Sequence, residues 1–227
     1  AKVAALAMVG RRLAEQGLRD TPRPKHVSVK EAVFPFARFR GVDTMLGPEM
    51  RSTGEVMGVA ADFTIAFLKA QAAAGNTLPR PVAGQPMRAF LSVKDPDKPA
   101  IVDLARRLVG LGFEVLCTAG TAAFLGEKGI PTTPVRKVKE GRPSVVDRII
   151  DGEVHLVVNT TAGKQEIADS YSIRRETLMH RIPYFTTLTG ARAAVGAMER
   201  AAASRPEVRP LQEYHGAPPV PEAGPRH

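Results

Sequence analysis

Apolar residues recur in two alternating patterns along most of the chain after residue 86. Apolar, mostly β-branched runs of strand length occur at residues 88–93, 113–118, 132–137, 154–159 and 183–187. Each is followed by a segment with helical apolar spacing, at residues 99–111, 121–128, 144–150, 164–181 and 191–202. Five strands alternating with five helices predict an α/β fold, with a five-stranded parallel sheet and helices on both faces.

The first 85 residues have a less regular pattern. Residues 1–9 form an apolar helical run without a capping residue ahead of it, so we expect the chain to be part of a longer protein. Residues 27–39 predict short strands, and residues 63–74 predict a helix that ends at Gly75. We expect residues 77–85 to be a linker.

Composition limits the setting and the partners of the protein. The 227 residues are 44% hydrophobic, with no apolar run long enough to cross a bilayer. One cysteine and no signal-peptide pattern favour a reducing, cytoplasmic location. The net charge of +9 is spread along the chain, and no aromatic residues alternate with basic clusters. We therefore expect neither a membrane nor a nucleic acid as partner.

Polar residues follow the predicted strands where their carboxyl ends would meet. Open parallel sheets bind ligands at this edge, and helix N-termini there favour anions. Thr hydroxyls and backbone N–H groups could hold a phosphate, a lysine could neutralise it, and Asn159 could read a base or sugar. The candidate binding residues are Lys98, Thr118, Thr121, Lys137, Asn159, Thr160 and Thr161. An alternative remains open, in which the threonines are helix N-caps and the lysines a solvated rim.

No catalytic or metal-binding residues are predicted. The five histidines have no i, i+4 pairing and no nearby cysteine. Cys117 lies in an apolar strand, which indicates a packed thiol rather than a nucleophile. Neither a Walker loop nor a GxGxxG loop is present.

Several short motifs resemble one known family. They are VKE at 29–31, PF at 35–36, LGPEMRSTGEVMG at 46–58, GT at 120–121, EGRP at 140–143 and NTT at 159–161. In this order they strongly resemble the carboxyl-terminal part of the large subunit of carbamoyl-phosphate synthase, and the likeness extends to about Ala202.

The resemblance implies three parts. Residues 1–85 would be the end of the second ATP-grasp unit, residues 86–203 an allosteric domain with the methylglyoxal-synthase fold, and residues 204–227 a flexible tail. In bacterial members of the family that domain binds UMP as inhibitor and IMP as activator, and its pocket residues match the seven candidates above. The other implied partners are the upstream part of the large subunit and the glutaminase small subunit. This chain would hold no cofactor, whereas ATP and Mg or Mn would bind the parent enzyme upstream, so the chain alone should be inactive.

Two departures from the family pattern affect function. Glu31 matches an acidic residue of the family's ornithine site, but Phe34 and Phe185 stand where other ornithine contacts are expected, which argues against ornithine activation. A free methylglyoxal synthase is the alternative enzyme, although Arg142 falls where its catalytic aspartate segment would lie and cannot act as a base. A scaffold that only docks onto the glutaminase subunit is a third possibility.

Overall fold

The structure is a computed structural model, and it describes residues 2–20, 24–33, 54–81, 84–161, 170–203 and 206–214. The chain forms two compact units. One comprises Ala1–His26 with Arg209–His227, and the other comprises Val27–Val208. None of the helices within the described ranges is both long and apolar enough to cross a membrane.

The smaller unit contains short helices. Helix α1 spans Lys2–Met8, and a 3-10 helix spans Ala14–Gln16. A four-residue helix at Leu211–Tyr214 lies in the segment predicted as a tail, and we number it α8 in chain order. The rings of His26 and Tyr214 meet edge to face, with centroids 5.6 Å apart.

The larger unit begins with an antiparallel pair of strands covered by a helix. Strand β1 (Val27–Val33) pairs with β2 (Gly54–Ala60), and helix α2 (Phe63–Ala73) packs on both. The Asp62 carboxylate caps α2 by accepting the Ile65 N–H at 3.0 Å. Strand β2 was not predicted from the sequence, and most of the 46–58 motif lies outside the described residues.

The predicted five-stranded parallel sheet is confirmed. Its spatial order is β5-β4-β3-β6-β7, and every neighbouring pair is parallel. The strands are β3 (Met87–Ser92), β4 (Phe113–Cys117), β5 (Thr133–Pro134), β6 (Leu156–Asn159) and β7 (Tyr184–Phe185). The helices are α3 (Lys98–Gly110), α4 (Ala119–Glu127), α5 (Val145–Ile150), α6 (Tyr171–Met179) and α7 (Leu188–Ala203). The first part of the predicted helix at 164–181 falls outside the described residues.

Both faces of the sheet are covered, as the apolar strands require. Alternate strand residues such as Leu91 and Val115 face α3, α4 and α7 in one buried cluster. Their neighbours Phe90 and Leu116 face α5 and α6 in a second cluster. Because side chains alternate along a strand, each strand contributes to both cores. The sheet is therefore a rigid platform whose carboxyl edge can position polar groups.

Candidate functional site

The carboxyl ends of the three central strands lie side by side. Ser92 is the register partner of Asn159, and Leu91 is the register partner of Cys117. The residues that follow these strands therefore converge, as expected for a parallel sheet. A cavity with a volume of about 340 Å³ opens at this edge.

All seven candidate residues border this cavity. They are Lys98, Thr118, Thr121, Lys137, Asn159, Thr160 and Thr161. Among the residues that the structure describes, five further polar ones border the cavity that the sequence analysis did not single out. They are Ser92, Lys94, Asp95, Lys139 and Ser170. Ser92 ends β3 and could have been found by the strand-end rule, whereas Lys94, Asp95 and Lys139 lie in loops whose course has no sequence signature.

Three hydroxyl groups line one wall of the cavity. Thr118 Oγ1 lies 3.4 Å from Thr121 Oγ1 and 3.5 Å from Ser92 Oγ. Thr121 Oγ1 also accepts the Val93 N–H at 3.4 Å. The two distances between hydroxyl oxygens are long for hydrogen bonds of this kind, which are usually about 2.7–2.8 Å. The hydroxyl hydrogens are thus weakly held and can turn toward an anion.

Helix α4 begins at this wall. It starts at Ala119, two residues earlier than predicted, and its first ladder bond runs from Ala122 N–H to Thr118 O at 2.9 Å. The N–H groups of Ala119, Gly120 and Thr121 precede that bond and have no helical partner. Thr118 stands at the N-cap position, but its side chain makes no capping bond. Simple capping therefore does not explain Thr118 or Thr121.

Thr121 is more buried than the sequence suggested. Thr121 is 2% exposed, although it was not part of the predicted core. Because α4 starts at Ala119, Thr121 is the third residue of the helix rather than its first, as predicted. Its hydroxyl serves the fold through Val93 N–H as well as bordering the cavity.

Lysines surround the hydroxyl wall. Lys98 Nζ lies 3.6 Å from the point where a Cβ would stand on Gly120, so its charge is next to the start of α4. Lys98 Nζ also contacts Asp95 Oδ1 at 2.8 Å. Lys137 N–H donates to Glu140 Oε2 at 2.8 Å. Within the part of the chain that the structure describes, the Lys137 ammonium has no ion-pair partner, so it can bind an incoming anion.

The opposite wall is formed by the end of β6. Asn159 Nδ2 donates to Tyr184 Oη at 3.1 Å, which fixes the orientation of the side-chain amide. Thr160 Oγ1 accepts Lys94 N–H at 3.2 Å, and Thr160 N–H donates to Ser92 O at 2.9 Å. The Thr160 hydroxyl hydrogen remains available as a donor.

The residues with catalytic potential are held in structural roles. Burial raises the pKa of the Cys117 thiol to about 12, so Cys117 is a packed thiol, as the apolar strand indicated. Arg142 is an exposed residue paired with Asp147, with Nε at 2.8 Å from Oδ1. The Ser144 N–H and Arg142 hold the pKa of Asp147 at about 2, which makes it a poor general base. Among the described residues, no group of His, Cys, Asp and Glu could hold a metal ion.

Two phenylalanines, Phe34 and Phe185, stand at the expected ornithine positions. Phe34 lies outside the described residues. Phe185 is partly buried against the main apolar cluster, and its ring edge is 3.3 Å from the Cβ position of Gly190. Phe185 supplies no carboxylate to pair with an ammonium group, but the absence of ornithine activation stays a prediction.

Comparison with known proteins identifies the class of the domain. Residues 100–186 match the MGS-like domain family, in agreement with the fold. Among solved structures, the methylglyoxal synthase of Elizabethkingia anophelis NUHP1 is similar with a TM-score of 0.40 and 14% identity, over 61% of this chain and 95% of that one.

The proteins related by sequence identify a narrower group than the domain family does. The chain is 60% identical over 222 residues to the carbamoyl phosphate synthase large chain of Myxococcus xanthus (strain DK1622), and 52% identical over 219 residues to that of Rhizobium meliloti (strain 1021). These matches cover 96% and 94% of this chain but 20% and 18% of the relatives. The chain is thus homologous to about a fifth of the carbamoyl phosphate synthase large chain, which confirms the resemblance expected from its motifs.

Proposed function

We propose that the cavity binds a mononucleotide through its phosphate, and that this region regulates a carbamoyl phosphate synthase. The observation that carries the proposal is the convergence of hydroxyls, helix N–H groups and lysines on one cavity. A volume of about 340 Å³ is within the roughly 300–1,000 Å³ of small-molecule sites.

The proposed phosphate lies at the turn from Thr118 to Thr121. There it would accept hydrogen bonds from the hydroxyls and from the free N–H groups of α4, whose dipole favours negative charge. Lys98 and Lys137 would supply charge-assisted bonds. Asn159, whose amide is oriented by Tyr184, would read the base or the sugar.

Regulation would arise from a difference in affinity between two conformations. A nucleotide that binds one arrangement more tightly shifts the equilibrium, and linkage transmits that shift to ATP affinity elsewhere in the enzyme. We propose a UMP- or IMP-type mononucleotide as the effector. The parent enzyme would use ATP with Mg or Mn, bicarbonate and glutamine-derived ammonia from a glutaminase subunit. In the cytoplasm it would make carbamoyl phosphate for pyrimidine and arginine biosynthesis.

Calorimetric titration with UMP, IMP and inorganic phosphate tests the proposal. We expect saturable binding of at least one nucleotide, and a weakening of roughly tenfold or more in Lys137→Met, because a hydrogen bond to a charged group contributes about 1.5–3 kcal/mol. Lys128→Met is the matched control, since Lys128 is exposed at the far end of α4 and does not border the cavity. Its affinity should equal that of the unmodified protein.

Two results would contradict the proposal. The first is no binding of any of the three ligands at millimolar concentration. The second is an equal effect of the Lys137 and Lys128 substitutions, which would mean that only the overall charge matters.

A further inference from the structure

The loop between β3 and α3 carries its own counter-ions. Asp95 and Asp97 bound a 3-10 helix, and each pairs with a lysine three residues away. The Lys98 to Asp95 contact is short at 2.8 Å, whereas the Lys94 to Asp97 contact is 4.0 Å. The side chain of Asp95 is 88% exposed and that of Lys98 is 22% exposed. Asp95 is therefore held at the mouth of the cavity by one ion pair.

Asp95 occupies a position that matters for an anionic ligand. Both Asp95 and Lys98 border the cavity, and the Lys98 ammonium stands beside Gly120 at the start of α4. A phosphate at that helix start would use the same ammonium. It would also meet the negative charge of Asp95 at close range. The carboxylate and the phosphate thus exclude each other from Lys98, at least in part.

We infer that Asp95 is an internal competitor that sets the affinity and charge selectivity of the cavity for phosphate ligands. The inference rests on the proposed function, because it concerns the same site. A doubly charged phosphomonoester gains more from Lys98 and from the helix N-terminus than a singly charged anion does. The negative charge of Asp95 opposes this gain, and its repulsion is larger for the dianion than for the monoanion. Asp95 therefore weakens the preference of the site for phosphomonoesters over phosphodiesters.

Asp95→Asn in the 227-residue protein tests this inference, with UMP and its 3′,5′-cyclic diester as probes at pH 7.5. Exposed ion pairs are weak, so we expect the substitution to change affinity by about 1.4- to fivefold. We expect UMP affinity to rise by a factor in this range. We expect cyclic UMP affinity to rise by a smaller factor, so the preference for the monoester grows.

Asp103→Asn is the matched control. It makes the same change in net charge, and Asp103 is exposed, pairs with a cation on its own helix at 3.7 Å, and lies outside the cavity. Both affinities should stay unchanged in this variant. The gain from Asp95→Asn should also disappear when Lys98→Met is added, because competition requires the Lys98 ammonium.

The outcomes of these experiments distinguish a failure of the Asp95 inference from a failure of the proposed function. If the unmodified protein binds UMP and Asp95→Asn binds it equally or more weakly, the inference is wrong and Asp95 positions Lys98 instead. A gain that persists without Lys98, or that Asp103→Asn reproduces, also overturns it. If neither the unmodified protein nor any variant binds either probe, the proposed function fails together with the inference.

Discussion

Replacing Thr121 with valine should affect both stability and ligand binding. The change removes a hydroxyl and keeps the size and branching of the side chain. That hydroxyl accepts Val93 N–H at 3.4 Å, and Thr121 is 2% exposed. A buried N–H left without an acceptor costs about 1–3 kcal/mol, and we expect about 1 kcal/mol because the existing bond is long.

The two effects have different sizes. A loss of about 1 kcal/mol lowers the melting temperature of a protein of this length by about 2–4 °C. The same substitution removes a donor from the proposed phosphate site, where a hydrogen bond to a charged group contributes about 1.5–3 kcal/mol. UMP affinity should thus fall by about tenfold or more.

Thr177→Val separates a general loss of stability from a loss of binding. Thr177 is equally buried, but its hydroxyl donates to Ile173 O and Arg174 O at 2.8 Å and does not border the cavity. Thermal denaturation and calorimetry on both variants should give lower stability in each and weaker binding only in Thr121→Val. Unchanged UMP affinity in Thr121→Val would refute the ligand role of the hydroxyl and leave it a purely structural group.

Two further predictions concern stability alone. Gly58→Ala should destabilise the protein by about 3 kcal/mol or more, because the new Cβ would overlap Ala66 O and stand 2.6 Å from Ala70 N. Gly54→Ala is the control, because the space around Gly54 is open, and it should change the midpoint of urea unfolding little. Equal midpoints for the Gly58→Ala and Gly54→Ala variants would refute the close contact of β2 with α2. Burial and the nearby charge of Arg88 lower the pKa of His155 in the folded protein. Below pH ~6.5 the unfolded chain therefore binds a proton at His155 more readily than the folded protein does, and the free energy of unfolding falls as the pH drops. His155→Asn should show a smaller loss between pH 7.5 and 5.5, and an identical loss would contradict this assignment.

The sheet was predictable because its strands are apolar on both faces and alternate with helical patterns. Strand β2 was missed because Gly54 and Gly58 weaken the strand signal. The structure supplies the reason for Gly58, which lets α2 approach the strand closely. Strand β5 is shorter than predicted, since it lies at the edge of the sheet and ends at Pro134, which cannot donate a ladder bond.

The cavity was predictable to the extent that its residues follow strand ends. The strand-end rule identifies residues directly after a strand, but it does not predict which later residues of the loop fold back to the cavity. Asp95 and Lys139 reach the cavity through 3-10 turns, which have no apolar period to read. Pairings such as Lys98 with Asp95 are therefore visible only in the folded chain.

Stability of the fold does not by itself account for this cavity. Thr118, Thr121, Asn159 and Thr160 are all buried at the same sheet edge. Burying polar groups lowers stability unless good hydrogen bonds compensate, and the bonds among these hydroxyls are long. Apolar side chains of similar size would fill the space without that cost. A cluster of weakly bonded donors faces an open cavity beside Lys137, whose ammonium has no ion-pair partner among the described residues. This arrangement supports the proposed ligand, which would complete the hydrogen bonds of the cluster.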